Sequence, residues 1–224
     1  MPTALLYDVH GNLPALEAVL ADAREEAADR WVLGGDLVAF GAWPRECLAA
    51  LRDLPGAIWI RGNTERWLSD RHDTPEPMDQ AALACRAALG DADADALFRL
   101  PGTATVGETL YCHASPDSDM ASFLPQAQDG DAALLGDLDA DRVVFGHTHL
   151  QFRRGGPRGV ELVNPGSVGM PLDGDHRAAY ALVHDDGDLE LRRVDYDRDA
   201  AVAGLDGPDP WREVVQGRLR RAAP

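Results

Sequence analysis

Seven residues of this chain carry side chains that bind divalent cations through nitrogen or oxygen: Asp8, His10, Asp36, Asn63, His113, His147 and His149. Each stands beside a glycine or just beyond a short apolar run. Mixed carboxylate, amide and imidazole donors suit manganese, iron, zinc, nickel or cobalt, and affinity alone does not choose among these metals. A single histidine in a loop has many structural explanations. Seven ligand-type residues at successive loop starts are far harder to attribute to chance.

For these residues to act together, the elements before them must end in one place. Ala4–Tyr7, Trp31–Leu33, Ala57–Ile60, Thr109–Cys112 and Arg142–Phe145 read as short strands. Between them, Leu13, Leu16, Leu20 and Ala27 keep helical spacing behind Pro14, Pro44–Leu54 reads as a second helix, and helical material continues to about Arg99. This alternation predicts a largely parallel sheet covered by helices, whose strands share a carboxyl edge where ligands bind. Gly11, Gly34, Gly35, Gly62 and Gly146 flank the candidates, where strand must turn sharply into loop.

The second half changes character. Gln151–Arg154, Val160–Val163, Ala178–His184 and Leu189–Val194 read as strands joined by Gly, Pro and Asp turns, with Asp185-Asp186-Gly187-Asp188 as a hairpin turn. They predict a second, mostly antiparallel sheet. Residues 195–224 are polar and read as a peripheral segment with a terminal helix over Trp211–Arg220, all within one domain spanning 1–224.

Formal net charge is −17, and every one of the 21 basic residues is arginine. Without lysine, Schiff-base chemistry and a Walker-type phosphate loop are excluded. Such acidity argues against stable binding to nucleic acid or anionic membranes, and it repels phosphate unless something local reverses the sign. Cys47, Cys85 and Cys112 are scattered and lack CxxC spacing, so they read as small buried residues and not as disulfides or zinc ligands. No apolar run approaches the roughly 18–20 residues of a membrane span. The N-terminus shows no signal-peptide pattern, so a cytoplasmic location is expected, with oligomeric state left open.

Taken together, Asp8-Val9-His10-Gly11-Asn12, Gly35-Asp36, Gly62-Asn63, His113 and Gly146-His147-Thr148-His149 resemble the calcineurin-like metallophosphoesterase superfamily over about residues 3–194. The Asp-x-His-Gly-Asn form and the later Asn164-Pro165-Gly166-Ser167-Val168-Gly169 resemble more specifically its small YfcE-type phosphodiesterases. The resemblance implies an α/β fold, a four-layer α/β/β/α sandwich of two mixed sheets. It implies that Asp8, His10 and His149 bind one metal, that Asn63, His113 and His147 bind a second, and that Asp36 bridges them, with manganese the favoured ion. The reaction it implies is in-line attack of a metal-activated hydroxide on a small phosphoester or nucleotide, diesters ahead of monoesters. Two divalent ions, two aspartates and a hydroxide leave a local charge of about +1, which would attract the phosphate that the protein at large repels.

Around that centre, Asn63 and His113 are expected to meet the substrate, as are Arg45 and Arg66 by position, with Arg61 a further candidate. Asn12 is expected to cap the helix after it, ahead of anchoring the loop that bears His10, and Asn164 and Ser167 to support the ligand loops; His176 reads as a surface or turn residue, with contact to substrate the lesser alternative. His72 and His184 fall outside the set. Two departures narrow the reading. Thr64 occupies the place where many superfamily members carry a histidine that protonates the leaving group, and threonine is no acid near neutral pH. The Asp-Arg-Gly element of the protein Ser/Thr phosphatases and dinucleoside tetraphosphatases is replaced by Asp36-Leu37-Val38. A nucleotide pyrophosphatase or tetraphosphatase is therefore the lesser alternative, beside a non-catalytic, protein-binding member of the same fold. Asp91-Ala92-Asp93-Ala94-Asp95 imitates a calcium loop but lacks its glycine and glutamate, and reads as a helix start.

Overall fold

The computed structural model describes all 224 residues. The first sheet has the order β10-β9-β1-β2-β3 and the second the order β4-β5-β6-β8-β7. In the first, β1 (Thr3–Leu6), β2 (Arg30–Leu33) and β3 (Ile58–Trp59) run parallel, and β9 (Ala178–Val183) and β10 (Leu189–Val194) join antiparallel beside β1. In the second, β5 (Thr109–Cys112), β6 (Arg142–Val144) and β8 (Glu161–Asn164) are parallel, with β4 (Thr103–Val106) and β7 (Phe152–Gly155) antiparallel at its edges.

Alternation along the strands builds the layers. Leu5 and Tyr7 of the β1 run join Val32, Tyr111, Val144 and Val163 in the core between the sheets. Ala4 and Leu6 face the other way, into the largest core, which helices cover. The outer face of the second sheet buries Leu110, Cys112, Val143 and Leu162 under loop residue Phe123 and under Leu135, which ends the short helix α6 (Asp131–Leu135). This is the expected four-layer α/β/β/α sandwich, with a thin fourth layer.

The helices over the first sheet are α1 (Leu13–Glu25), α2 (Pro44–Arg52), α3 (Asn63–Trp67), α4 (Met78–Leu89) and α5 (Asp91–Phe98). The chain closes with α7 (Arg198–Ala203) and α8 (Pro210–Arg221). Asn12 caps α1, its Oδ1 accepting from the Ala15 N–H at 3.3 Å, and Pro14 stands in the first turn where no N–H is needed. One stripe of α1 (Ala15, Leu16, Val19, Leu20 and Ala23) is buried, each large residue contributing about 1.5–3 kcal/mol.

Two expectations need correction. The strands after residue 150 do not form a sheet of their own. β7 and β8 complete the second sheet, whereas β9 and β10 extend the first. The reason is burial on both faces of β9, where Ala178 to Leu182 are all solvent-free, a demand met only inside a sheet covered on both sides. The ligand-bearing strand ends accordingly come from both sheets and not from one parallel edge. The polar tail, read as peripheral, contributes Ala201, Leu205, Trp211, Val215 and Leu219 to the largest core. No helix is long and apolar enough to cross a membrane.

Candidate metal centre

The loops after β1, β2, β3, β5 and β6 bring all seven candidates together where the two sheets end side by side. Five of them lie in the left-handed region that non-glycine residues avoid: Asp8 (φ 54°), His10 (φ 50°), Asp36 (φ 56°), His147 (φ 67°) and His149 (φ 59°). Each costs about 1–2 kcal/mol of local strain, which persists only where neighbours overdetermine the backbone. Those neighbours are specific. The Asp8 N–H donates to the Gly35 carbonyl at 3.1 Å and the His10 N–H to the Asp36 carbonyl at 2.8 Å. The His147 N–H donates to Asp8 Oδ2 at 3.0 Å.

Side-chain hydrogen bonds fix which atoms face inward. His10 Nδ1 lies 3.1 Å from the Ala39 carbonyl, His113 Nδ1 2.9 Å from that of Gly34, and His149 Nδ1 2.6 Å from that of Met170. Carbonyls only accept, so each Nδ1 must donate, and in the neutral ring each Nε2 then offers a lone pair. Two of these lone-pair nitrogens, His10 Nε2 and His149 Nε2, stand only 3.1 Å apart. Asp8 Oδ1 lies 3.5 Å from the latter and 3.9 Å from the former, and it is buried with no hydrogen-bond partner. A second set lies alongside. Asn63 Oδ1 is 2.9 Å from His113 Nε2 and 3.0 Å from His147 Nδ1.

Asp36 reaches towards both sets, Oδ2 at 3.7 Å from His10 Nε2 and Oδ1 at 3.4 Å from His113 Nε2. Buried acceptors facing acceptors repel unless a cation lies between them. Donors about 2.1 Å from one ion at right angles would be about 3.0 Å apart, so the spacing observed fits a coordinated cation. Asp8, His10 and His149, and likewise Asp8, Asp36 and His113, are groups able to hold one.

Electrostatics point the same way. Burial raises the Asp36 carboxyl to about 7, with the Glu65 and Asp8 charges adding to the effect against the pull of His113. Burial also opposes ionisation of Asp8, but the surrounding His149, His113 and His10 hold its carboxyl down at about 2. Burial pushes His10 well below the usual imidazole range and His147 to about 4. His113 moves up, because the Asp36 and Asp8 carboxylates outweigh its burial. His10 and His147 are thus held neutral with lone pairs free for a cation, and a divalent ion would displace the proton that Asp36 otherwise retains.

Behind the seven stands Glu65, which the sequence reading missed. Its carboxylate is fully buried and accepts three backbone N–H groups, from Asp36 (2.8 Å), Leu37 (2.8 Å) and Gly62 (2.9 Å). Its signal was the Gly62-Asn63-Thr64-Glu65 spacing, in which an acid at the third helical position reaches back to the helix start. Gly62 is required here by close approach, since a Cβ would come within 2.6 Å of the Asp36 nitrogen. The supporting roles of the later loop hold. Ser167 Oγ donates to the Asp8 carbonyl at 2.7 Å and accepts from Met170 N–H at 2.8 Å. Asn164 Nδ2 donates to the Gly146 carbonyl at 2.9 Å and to Thr148 Oγ1 at 3.0 Å.

Two clefts adjoin the centre. One, of about 330 Å³, is mostly polar, its lining including His113, Arg61, Arg66, Ser118, Asp117 and Asp119. The other, of about 200 Å³, exposes His10, Asp36, Asn63, His147 and His149 beneath an apolar wall. The arginines expected to meet phosphate fare unequally. Arg45 bonds the Ala88 carbonyl on α4 and lines neither cleft. Arg66 lines the polar cleft, but Asp73 (2.7 Å) and Asp119 (2.6 Å) already pair with it, so it clasps α3 to the 115–119 loop with little free charge. Arg61 lines the same cleft over the Phe98 ring. His176 lies away from the centre, beside Asp195 and Asp197. Thr64 is fully buried, its Oγ1 without a partner and its N–H bound to Asp36 Oδ1 at 2.9 Å.

Known proteins share this architecture. Residues 1–188 match the model of the calcineurin-like phosphoesterase superfamily domain. An uncharacterized protein of Methanocaldococcus jannaschii, MJ0912, is 27% identical over 239 residues, spanning 96% of this chain and 93% of its own. A metallophosphoesterase from Sphaerobacter thermophilus superposes with a TM-score of 0.84 at 27% identity, covering 100% of both chains. The hypothetical protein PH1004 from Pyrococcus horikoshii OT3 shares the fold with a TM-score of 0.81 at 20% identity, over 96% of this chain and 97% of that one.

Proposed function

Because the chain belongs to the calcineurin-like phosphoesterase superfamily, we propose that it hydrolyses small phosphoesters, diesters ahead of monoesters, with two divalent ions. Asp8, His10 and His149 would hold one ion and Asn63, His113 and His147 the other, with Asp36 shared between them. The observation that carries this reading is the pair of donor sets joined at Asp36, whose two oxygens face His10 and His113 at 3.7 and 3.4 Å. Such ions, when bound, supply an activated water for in-line attack and neutralise the phosphoryl oxygens. Manganese is the first ion to load.

The chain's own residues do the positioning. His10, His113 and His149 each keep a proton at Nδ1 against a backbone carbonyl, which holds the Nε2 lone pair on target. The strained loops fix those rings before substrate arrives, so little reorganisation remains for the reaction itself. Position 64 provides no acid, because Thr64 is buried and faces neither cleft. The leaving group then takes its proton from solvent, which favours aryl over alkyl esters.

Elemental analysis of purified protein, paired with a panel of aryl diesters, aryl monoesters, cyclic nucleotides and dinucleoside polyphosphates under each metal, tests the proposal. Close to two equivalents of metal and hydrolysis led by aryl diesters are expected. Asp36→Asn should abolish turnover and reduce bound metal. Two bound metals with no hydrolysis under any loading would favour the non-catalytic alternative, and near-normal turnover of the Asn variant would sink the bridging assignment.

A further inference from the structure

The matched family region ends at residue 188, and α8 lies beyond it. One residue of α8 nevertheless reaches the centre. Arg218 lines the cleft of about 200 Å³ that exposes His10, Asp36, His147 and His149. Much of the remaining wall is apolar, built from Phe40, Trp67, Met78 and Met170.

Several other arginines of the two sheets and their loops are paired with carboxylates: Arg66 with Asp73 and Asp119, Arg154 with Asp131, Arg193 with Asp173, while Arg61 in the polar cleft is held by the Phe98 carbonyl and ring. Arg218 has no such partner, although the chain carries 38 acidic residues. Partial burial, and after it the like charge of Arg221, pulls its guanidinium below the usual arginine range. The helix dipole accounts for basic residues in the last turn of α8, a role that exposed Arg220 and Arg221 fill. It does not account for an arginine without a carboxylate partner lining a cleft beside buried Asp36 and three histidines.

We propose that Arg218 is a substrate-binding residue that pairs with a phosphate oxygen of the ester held at the centre, an inference resting on the phosphoesterase reading above. The apolar wall strengthens such a pair by lowering the local dielectric. The planar fork of arginine offers two parallel N–H groups to phosphate, where lysine offers a point charge. The tail thus completes the site: its apolar side packs into the core through Trp211, Val215 and Leu219, and the same helix delivers the anion-binding group.

Calorimetric titration of inorganic phosphate into the full-length, manganese-loaded protein tests this without requiring turnover. Arg218→Gln should weaken phosphate binding at least tenfold, with metal content and melting midpoint unchanged. Arg220→Ala, an exposed change on the same helix, should alter binding less than twofold. With an aryl diester, Arg218→Gln should raise KM more than it lowers kcat. Phosphate affinity of Arg218→Gln within twofold of wild type overturns the proposal, as does a wild type that binds no phosphate. If the Gln variant loses metal or unfolds, Arg218→Lys decides: a threefold or greater weakening supports the fork, and unchanged affinity overturns it. Should wild type bind phosphate through Arg218 yet hydrolyse nothing, the hydrolytic reading fails and this one stands.

Discussion

Glu65 touches the donor sets only through backbone N–H groups, yet its replacement should disable the centre. Its two oxygens accept from Asp36 and Gly62 on one side and Leu37 on the other, at 2.8–2.9 Å. In Glu65→Gln the amide oxygen can keep the first pair, but the NH2 then faces the Leu37 N–H, donor against donor. An unpaired buried donor costs about 1–3 kcal/mol, and two bonds weakened from charged to neutral add about 1–2 kcal/mol. Relief of a buried charge offsets part of this, leaving a net loss of about 2–4 kcal/mol. For a chain of this length that lowers the melting midpoint by about 4–16 °C. Because the same carboxylate holds Asp36 in its left-handed conformation, metal affinity should fall about 10–100-fold. Thermal unfolding of the metal-free variant, followed by metal titration, reads both effects. A midpoint within about 2 °C of wild type together with unchanged metal affinity would refute the positioning role.

Three other outcomes are expected. Asp36 holds a proton up to about pH 7 in the metal-free protein, so a cation must displace it, and affinity should rise about tenfold from pH 6 to 7 and then flatten. Calorimetry in buffers of different ionisation enthalpy should show about one proton released from Asp36 at pH 6 and far less at pH 8; equal release at both refutes this. With a folded pKa above the unfolded value of about 3.9, the same group stabilises metal-free protein below about pH 4, a contribution lost as pH rises through about 7. Ser167→Ala removes bonds to the Asp8 carbonyl and from the Met170 N–H, costing about 2–3 kcal/mol; metal content should fall below that of wild type, and unchanged content and midpoint would contradict it. Trp211→Ala should cost about 3–5 kcal/mol in denaturant unfolding, whereas a loss below about 1 kcal/mol would mean that α8 does not share the main core.

The seven candidates were legible as a group because divalent-cation chemistry admits few side chains, and this chain places them at successive loop starts. Strands with one strongly apolar face were legible too: Thr109–Cys112 and Leu189–Val194 have the expected bounds, and the others shift by one or two residues. β4 escaped notice because its residues are exposed or only partly buried, as an edge strand permits. Sheet membership was not legible. The hairpin of β9 and β10 is local, but its pairing with β1 is a tertiary choice, hinted at only by the unbroken Ala178–Val183 run. Arg45 and Arg66 were chosen by sequence position, which says nothing of the carbonyl and the two carboxylates that hold them. Glu65 and Arg218 act through what they do or do not touch, and neither fact has a sequence spacing strong enough to announce it.

Glycines beside the candidate ligands marked the sharp turns, but the strain itself falls on five of the candidates. Asp8, His10, Asp36, His147 and His149 adopt a backbone that glycine would take freely. A sequence chosen for stability alone would put glycine at some of these positions; under the proposed metal-binding role that exchange is closed, because it would remove the donor. At about 1–2 kcal/mol each, five such residues store an amount comparable with the whole stability of many domains. The compensation is concentrated in a few groups with no ligand role of their own: the Glu65 carboxylate under Asp36, Ser167 under Asp8, and Asn164 under the 146–148 turn. Conflict between local propensity and observed backbone is expected at functional sites, and here it falls on the residues whose donors converge. The strain and the donor geometry are independent observations, and they mark the same residues.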